Sequence, residues 1–181
     1  NSIFNKGLHV VGGSLDFDSV TVNSGLTIVH AVNFTSINGK YIGQSGDTCT
    51  HGLTLDNVIH AHIEGEFVGG NSLNGDGCDG VHATNFQDVE IKGNSMGGIG
   101  YGGCGGNGVY GNGNGNGDGG SLSVDGDSTG NDGFANAHRN DACGNGVVLL
   151  GNSIFIVKGT SIGGNDNLMA GDSVAIGNGV F

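Results

Sequence analysis

The stretch GVHATNFQDVEIKGNSMGG, residues 80–98, contains the pattern that decides which fold we expect. It reads as Gly, twelve residues, Gly, three residues and a Gly pair, and the same pattern occurs without gaps at 52–70 and 146–164. Two more copies, with small insertions, begin at Gly25 and Gly108, so the starts are 27, 28, 28 and 38 residues apart. A period in this range is typical of proteins that stack one structural unit repeatedly.

Apolar residues alternate within each copy, as they do in strands with one buried face. The positions of the first strand are Leu53 and Leu55, Val81 and Ala83, Val109, and Val147 and Leu149. Those of the second are Ala61 and Ile63, Val89 and Ile91, Leu122 and Val124, and Phe155 and Val157. A short third strand is marked by Val68, Met96 and Ile162. Three short strands per copy favour an all-β, right-handed parallel β-helix, or β-solenoid, of about six coils of about 27–28 residues.

The repeat predicts one β-solenoid domain over residues 1–181, since composition does not shift along the chain. Its coils start near 25, 52, 80, 108, 146 and 173, with a Gly-rich insertion at about 111–120 and a loop at 131–145. The chain has 41 Gly and no Pro. Gly and Asn suit corners because they tolerate positive φ, and Pro would remove a hydrogen-bond donor from a central strand.

Two segments, GVHATNFQDVEIKGNS (80–95) and GVVLLGNSIFIVKG (146–159), carry a family resemblance. They resemble the right-handed parallel β-helix repeat of the pectate-lyase-like superfamily, and the repeat covers most of the chain. The resemblance implies a fold. It does not imply one activity, because that superfamily includes lyases, glycoside hydrolases, epimerases, phage tailspikes and non-catalytic adhesins.

The formal net charge of −12, from 17 acidic and five basic residues, argues against nucleic acid as a partner. It also disfavours uronate polymers unless cations bridge them to the protein.

No apolar stretch approaches the ~18 residues of a membrane span. The chain begins at Asn1 without Met, as a processed protein would, and its four Cys lack a paired CxxC pattern. We therefore expect a secreted, extracellular protein with disulfides and no membrane span.

The four cysteines each lie two to four residues before a start Gly; they are Cys49, Cys78, Cys104 and Cys143. Stacked coils would place them at one corner, within disulfide distance of one another. We prefer the pairs Cys49–Cys78 and Cys104–Cys143. A Cys78–Cys104 bridge is the main competitor, and buried free thiols are the other alternative.

Aligning the copies also predicts which charged side chains are neighbours. The outward row before the middle Gly alternates in sign and consists of Glu64, Lys92, Asp125 and Lys158. We interpret this charge ladder as support for the register rather than as a catalytic group. On the same face, His60 and His62 would neighbour Asp88 and Glu90. That arrangement suits a metal or an ion-pair patch, and we favour the patch.

Catalytic candidates are few. The segment DGCDGVH, 76–82, is similar to the Asn-Thr-Asp-Gly stretch of glycoside hydrolases of this fold, and Asp79 matches its Asp, with His82 beside it. Where that family places an Asp pair before a Cys, this chain has two Gly before Cys104, so corner capping is the favoured role of Asp79. A lyase or epimerase needs a base and a cation, for which His138 and Arg139 are the candidates.

Calcium is the cofactor for which the sequence gives some indication. A Gly- and Asn-rich segment that resembles calcium-binding nonapeptide repeats, without meeting their full pattern, contains Asp118, Asp125, Asp127 and Asp132. Hard oxygen ligands suit Ca²⁺, and plain solvation is the alternative. Asn33 begins the tripeptide Asn-Phe-Thr, a candidate glycosylation acceptor.

The sequence as a whole favours a non-catalytic extracellular structural or adhesive protein, a filament or matrix subunit whose partner is itself. The first alternative is a small calcium-assisted polysaccharide lyase, epimerase or hydrolase. The second is an ice- or glycan-binding module. A polysaccharide partner belongs to these alternatives, and nucleic acid to none of them.

Overall fold

The computed structural model describes residues 2–113, 120–133, 144–150 and 154–164. These ranges contain sixteen β-strands and no helix. A helix that could cross a membrane is therefore not found in this part of the chain.

The strands belong to two parallel sheets. The six-stranded sheet consists, in spatial order, of β14 (Val147–Leu150), β11 (Val109–Asn112), β9 (Val81–Thr84), β7 (Leu53–Asp56), β5 (Leu26–Val29) and β2 (Leu8–Val11). The main path of the ten-stranded sheet runs β1 (Ser2–Phe4), β4 (Val20–Asn23), β6 (Asn33–Ile42), β8 (His60–Val68), β10 (Asp88–Met96), β12 (Ser121–Asp125) and β15 (Ile154–Lys158). Its remaining strands are β3 (Ser14–Asp18), which pairs with β6, and β13 (Ser128–Thr129) and β16 (Ser161–Ile162), which pair with each other.

The predicted fold class, a right-handed parallel β-helix or β-solenoid of about six coils, is wrong. The structure is all-β with two layered sheets of ten and six parallel strands. The second and third strands expected in each repeat are one continuous strand in β8 and β10, whereas β12 and β13, and β15 and β16, are separate strands as predicted. The spacing is also uneven, because β2 and β5 pair Leu8 with Leu26, only 18 residues later. The start expected near 173 lies outside the described residues.

Glycine explains why the long strands of the ten-stranded sheet stay continuous. Gly65 of β8 pairs with Gly39 of β6 and with Gly93 of β10. A Cβ on Gly65 would lie 2.1 Å from the Gly39 carbonyl oxygen, which no side chain tolerates. Gly93 has a φ of +113°. These positions therefore let the strands approach closely and change direction without ending.

The register that the repeat predicts within the sheets is confirmed. Leu53 pairs with Val81, and Val81 with Val109, in the six-stranded sheet. The third-strand positions Val68 and Met96 also pair as expected. They do not mark the buried side, however, since Met96 is exposed. The buried side chains of that row lie one residue earlier and are Tyr41, Phe67, Ser95 and Ser128.

One apolar core lies between the two layers. Its largest fully buried side chains from the six-stranded sheet are Leu26, Ile28, Leu53 and Leu55. Those from the ten-stranded sheet include Phe34, Tyr41, Ile63, Phe67, Ile91 and Leu122. Burial of this kind contributes about 25 cal/mol per Å² of apolar surface, so the core supplies the main stabilising term.

The core is less well covered at the first and last described strands. The inward side chains of β7 and β9 are fully buried. Those of β2, β3 and β15 are only half-buried. The half-buried apolar side chains packed against the core are Leu8, Val10, Leu15, Phe17, Leu149, Phe155 and Val157. Both described ends of the layered sheets therefore expose part of the core.

Candidate functional site

A column of polar residues lies just before the strands of the six-stranded sheet, at what we call the corner of the fold. It is formed by the residue that precedes the start Gly of each successive repeat. Asp79 donates its backbone N–H to Nδ1 of His51 at 2.9 Å. Asn107 donates its backbone N–H to Oδ1 of Asp79 at 2.8 Å, and Asn145 donates its own to Oδ1 of Asn107 at 3.0 Å. Because the repeats are in parallel register, one sequence position produces a continuous hydrogen-bonded column.

Asp79 is the centre of this corner and is only 6% exposed. Its Oδ1 accepts two hydrogen bonds from Asn107, from the backbone N and from Nδ2, both at 2.8 Å. Its Oδ2 lies 2.7 Å from Nδ1 of His82 and 3.4 Å from Nδ1 of His51. A buried carboxylate needs such partners, and here one oxygen is fixed by amides while the other faces two imidazoles.

The two imidazoles are stacked on each other. The ring centroids of His51 and His82 are 4.3 Å apart with an interplanar angle of 24°. His82 stacks in turn on Tyr110, with the centroids 4.5 Å apart and 9° between the planes. His82 and Tyr110 are register neighbours on β9 and β11, so the sheet itself aligns these rings. His82 is therefore positioned by strand pairing, whereas His51 and Asp79 lie in the segments just before β7 and β9.

Electrostatics favour the neutral form of His51. Burial lowers the pKa of its imidazole, the carboxylate of Asp79 raises it in part, and the neighbouring His82 lowers it further. A neutral imidazole offers one nitrogen lone pair as a hydrogen-bond acceptor or as a metal ligand. Nδ1 of His51 accepts from the Asp79 backbone N–H, so its lone pair is occupied by this hydrogen bond in the structure.

A surface cavity of about 430 Å³ opens beside His51. The residues that line it include His9, Thr27, Cys49, Thr50 and Thr54. His9, Thr27 and Thr54 are successive neighbours in the register row that continues to His82. The cavity therefore lies along the outer face of the six-stranded sheet and gives access to the His51 end of the site.

A disulfide joins the two repeats that carry His51 and Asp79. Cys49 and Cys78 are bonded with their Cα atoms 5.9 Å apart, which confirms the first of the two preferred pairs. Closing a loop of this size stabilises a fold by roughly 3–4 kcal/mol in the chain-entropy model. Cys104 is also disulfide-bonded. Cys143, its predicted partner, lies outside the described residues.

The predicted charge ladder lies on the exposed face of the ten-stranded sheet. Register pairs join Glu64 with Lys92, Lys92 with Asp125, and Asp125 with Lys158. Nζ of Lys92 lies 3.7 Å from Oε1 of Glu64 and 3.0 Å from Oε1 of Glu90. The hydrogen bonds from Lys92 and His62 lower the pKa of Glu90, and Glu90 raises that of Lys92.

The two histidines of β8 lie beside carboxylates, as the register predicts. Nδ1 of His62 is 2.7 Å from Oε2 of Glu90, and its Nε2 is 3.1 Å from Oε1 of Glu64. Nδ1 of His60 is 3.8 Å from Oδ2 of Asp88. This geometry agrees with the ion-pair patch that we favoured. Neither histidine belongs to a group of three or more metal-ligating side chains among the residues that the structure describes.

The calcium candidates that the structure describes make different contacts. Asp125 belongs to the charge ladder. Oδ1 of Asp127 accepts from the Thr160 backbone at 3.3 Å, and the backbone N–H of Asp132 donates to Oδ1 of Asn131 at 2.8 Å. Within the described ranges, none of the three belongs to a group of three metal-ligating side chains. Asp118 lies outside those ranges, as do the catalytic candidates His138 and Arg139.

Sequence reasoning found only part of the site. It singled out Asp79 and His82, which the structure brings into contact, but not His51 or Tyr110. The repeat itself is the signal that could have found His51, since His51 precedes Gly52 as Asp79 precedes Gly80.

Asn33, the glycosylation candidate, is exposed at the start of β6, and its Nδ2 donates to Oγ of Ser14 at 3.2 Å. Glycosylation at Asn33 stays a prediction.

The resemblance to the pectate-lyase-like superfamily also stays a prediction. No protein-family model, no curated protein and no solved structure matches the chain.

Proposed function

We propose that the protein is an extracellular structural or adhesive protein whose copies join end to end through the edges of their two parallel sheets. The observation that carries this proposal is the incomplete burial of the core at both described ends. Among the described strands, β2 and β3 at one end and β14 and β15 at the other have no partner on their outer side. An unpaired strand edge with apolar side chains next to it favours addition of another chain. A head-to-tail contact between different ends is heterologous, and such contacts generate filaments when they do not close into a ring.

The register rows of the two sheets support a second copy of this chain as the partner that binds at these ends. Leu8 of β2 and Val147 of β14 belong to one register row of the six-stranded sheet. In the ten-stranded sheet, Leu15 of β3 and Phe155 of β15 likewise share a row. Placing β2 and β3 of one copy beside β14 and β15 of another would therefore continue each apolar row with an apolar side chain.

Charge supports the same junction. The ladder ends at Lys158, which follows Val157 on β15. Asp18 follows Phe17 on β3, and the junction places Phe17 beside Val157. Asp18 of the added copy would then neighbour Lys158 and continue the alternation of sign. Opposite charges in neighbouring strands are worth roughly 0.2–1 kcal/mol, so they favour this register over a shifted one.

The disulfide between Cys49 and Cys78 supports an extracellular location, because such bonds persist in oxidising compartments. A matrix or surface protein would also use the stabilisation that a cross-linked loop provides.

The test of this function is charge reversal at the junction. We expect the purified protein to form filaments in negative-stain electron microscopy and a concentration-dependent series of species in sedimentation velocity. Asp18→Lys or Lys158→Asp should shorten the filaments and shift assembly to higher protein concentration, and the double variant should restore it. Asp88→Lys is the matched control, because it changes the net charge as Asp18→Lys does but lies in the middle of the sheet. Monomers at every concentration, or a double variant no better than the single ones, would contradict the proposal.

A further inference from the structure

We propose that His51, Asp79 and His82 form a binding site for a divalent transition-metal ion, with Zn²⁺ as the best-matched ion. This site is independent of the end-to-end assembly proposed above. Each of the three side chains offers one ligand atom, and these atoms lie within 4.8 Å of one another. It is the only such group in the described part of the chain.

The spacing of the donor atoms fits an ion after small side-chain movements. Zn²⁺ binds imidazole nitrogen and carboxylate oxygen at about 2.0–2.2 Å, which puts neighbouring ligand atoms roughly 3.3 Å apart in a tetrahedron. Nδ1 of His51 is 3.4 Å from Oδ2 of Asp79, and Nδ1 of His82 is 2.7 Å from the same oxygen. Binding would require Nδ1 of His51 to exchange its hydrogen bond from the Asp79 backbone N–H for the ion, and the His82 ring to rotate away from this oxygen.

The surroundings hold the donors in place before an ion arrives. Hydrogen bonds from Asn107 fix the Oδ1 side of the carboxylate and leave Oδ2 directed at the two imidazoles. Partners of this kind orient metal ligands and raise metal affinity. The Cys49–Cys78 disulfide ties together the two repeats that supply His51 and Asp79. The site therefore requires little ordering of the chain on binding.

The donor chemistry selects the class of ion. Calcium and magnesium prefer all-oxygen ligands, whereas imidazole suits zinc, copper, nickel and iron. Two imidazoles and one carboxylate therefore favour a transition metal over Ca²⁺. Three protein ligands also leave a coordination position for water or for a ligand from outside. The cavity of about 430 Å³ beside His51 provides space for such a ligand.

A metal-free arrangement is the competing explanation. The same contacts satisfy Asp79 through hydrogen bonds with no ion, as buried carboxylates require. The two explanations differ in what happens when metal is added, because only a preformed site binds one ion per chain with these histidines as ligands.

The experiment titrates the dialysed, disulfide-bonded protein with Zn²⁺ by isothermal calorimetry and with Co²⁺ by visible absorption. We expect one ion per chain and the intense absorption bands of four-coordinate Co²⁺. His51→Ala and His82→Ala should each weaken Zn²⁺ binding at least tenfold. His60→Ala and His62→Ala are the matched controls, because these histidines lie beside carboxylates on the other sheet, and they should leave binding unchanged.

A second measurement uses only the unmodified protein, so it does not depend on whether the variants fold. Zn²⁺ should shift the imidazole ¹⁵N NMR signals of His51 and His82 and leave those of His60 and His62 in place. The proposal is overturned if the protein binds no Zn²⁺ at micromolar concentration. It is also overturned if the signals of His60 and His62 shift instead, or if the His51 and His82 variants bind as tightly as the original protein.

Discussion

At the scale of single residues, side chains act on neighbours along their own strand as well as on neighbours in the adjacent repeat. Lys92 shows this clearly, since its ammonium group lies 3.0 Å from Oε1 of Glu90 and 3.7 Å from Oε1 of Glu64. The Lys92 hydrogen bond is the largest cause of the lowered pKa of Glu90, followed by that of His62. A carboxyl whose pKa is lowered by folding adds stability above its unfolded pKa and loses it as the pH falls through the folded pKa.

Replacing Lys92 should therefore raise the pKa of Glu90. We expect Lys92→Met to move this pKa upward, toward the ordinary value for Glu, and to remove part of the stability that is lost in acid. Carboxyl ¹³C NMR titration of the folded protein measures the shift. Lys40→Met is the matched control, because Lys40 forms its own ion pair with Glu66 at 2.7 Å. An equal shift of the Glu90 pKa in both variants would contradict the local cause.

At the scale of strands, the sequence predicted neighbours better than it predicted elements. Recurring Gly residues fix the alignment, so the pairing of Leu53 with Val81 followed from spacing, and the Cys49–Cys78 bridge was the preferred one of the pairings that the spacing allowed. The number of strands did not follow, because Gly65 can end a strand or, as here, let it continue past a neighbouring backbone. The site at His51 was missed for a related reason: a histidine becomes a candidate ligand only when its neighbours across the repeat are considered.

The buried row formed by Tyr41, Phe67, Ser95 and Ser128 contains two hydroxyl groups that reduce stability. Oγ of Ser95 and Oγ of Ser128 are buried without a hydrogen-bond partner, among the residues that the structure describes. An unsatisfied buried hydroxyl costs about 1–3 kcal/mol. We expect Ser95→Ala to raise the free energy of unfolding by about 1 kcal/mol in urea titration, because the substitution removes an unpaired buried hydroxyl.

Ser36 provides the opposite case in the same sheet. Its hydroxyl is hydrogen-bonded to the buried Tyr41 hydroxyl, and burial raises the pKa of that phenol while the hydrogen bond partly lowers it. Ser36→Ala should lower the free energy of unfolding by about 1–2 kcal/mol, since it leaves the Tyr41 hydroxyl without this partner. If both alanine variants shift stability in the same direction, hydrogen-bond satisfaction is not what distinguishes the two sites.

At the scale of the whole molecule, stability should be graded along the stack of strands. Among the strands that the structure describes, each one in the middle of a sheet has a neighbour on both sides, whereas β2 and β14 lie at opposite edges of the six-stranded sheet. The inward side chains of β7 and β9 are fully buried, and those of β2 and β15 are half-buried. Local opening should therefore require the most free energy in the middle and the least at the two described ends.

Native-state hydrogen exchange tests this gradient and connects it with assembly. In dilute solution we expect the backbone amides of β7, β8, β9 and β10 to exchange most slowly and those of β2, β3 and β15 fastest. At concentrations where copies join, the slowing should be concentrated in β2, β3, β14 and β15, because the junction would pair these edges and cover Leu15, Phe17 and Phe155. The Asp18→Lys variant should retain the fast exchange of the end strands under the same conditions. Uniform protection across all strands would contradict the gradient, and slowing confined to the middle strands would place the contact between copies on a sheet face instead of at the ends.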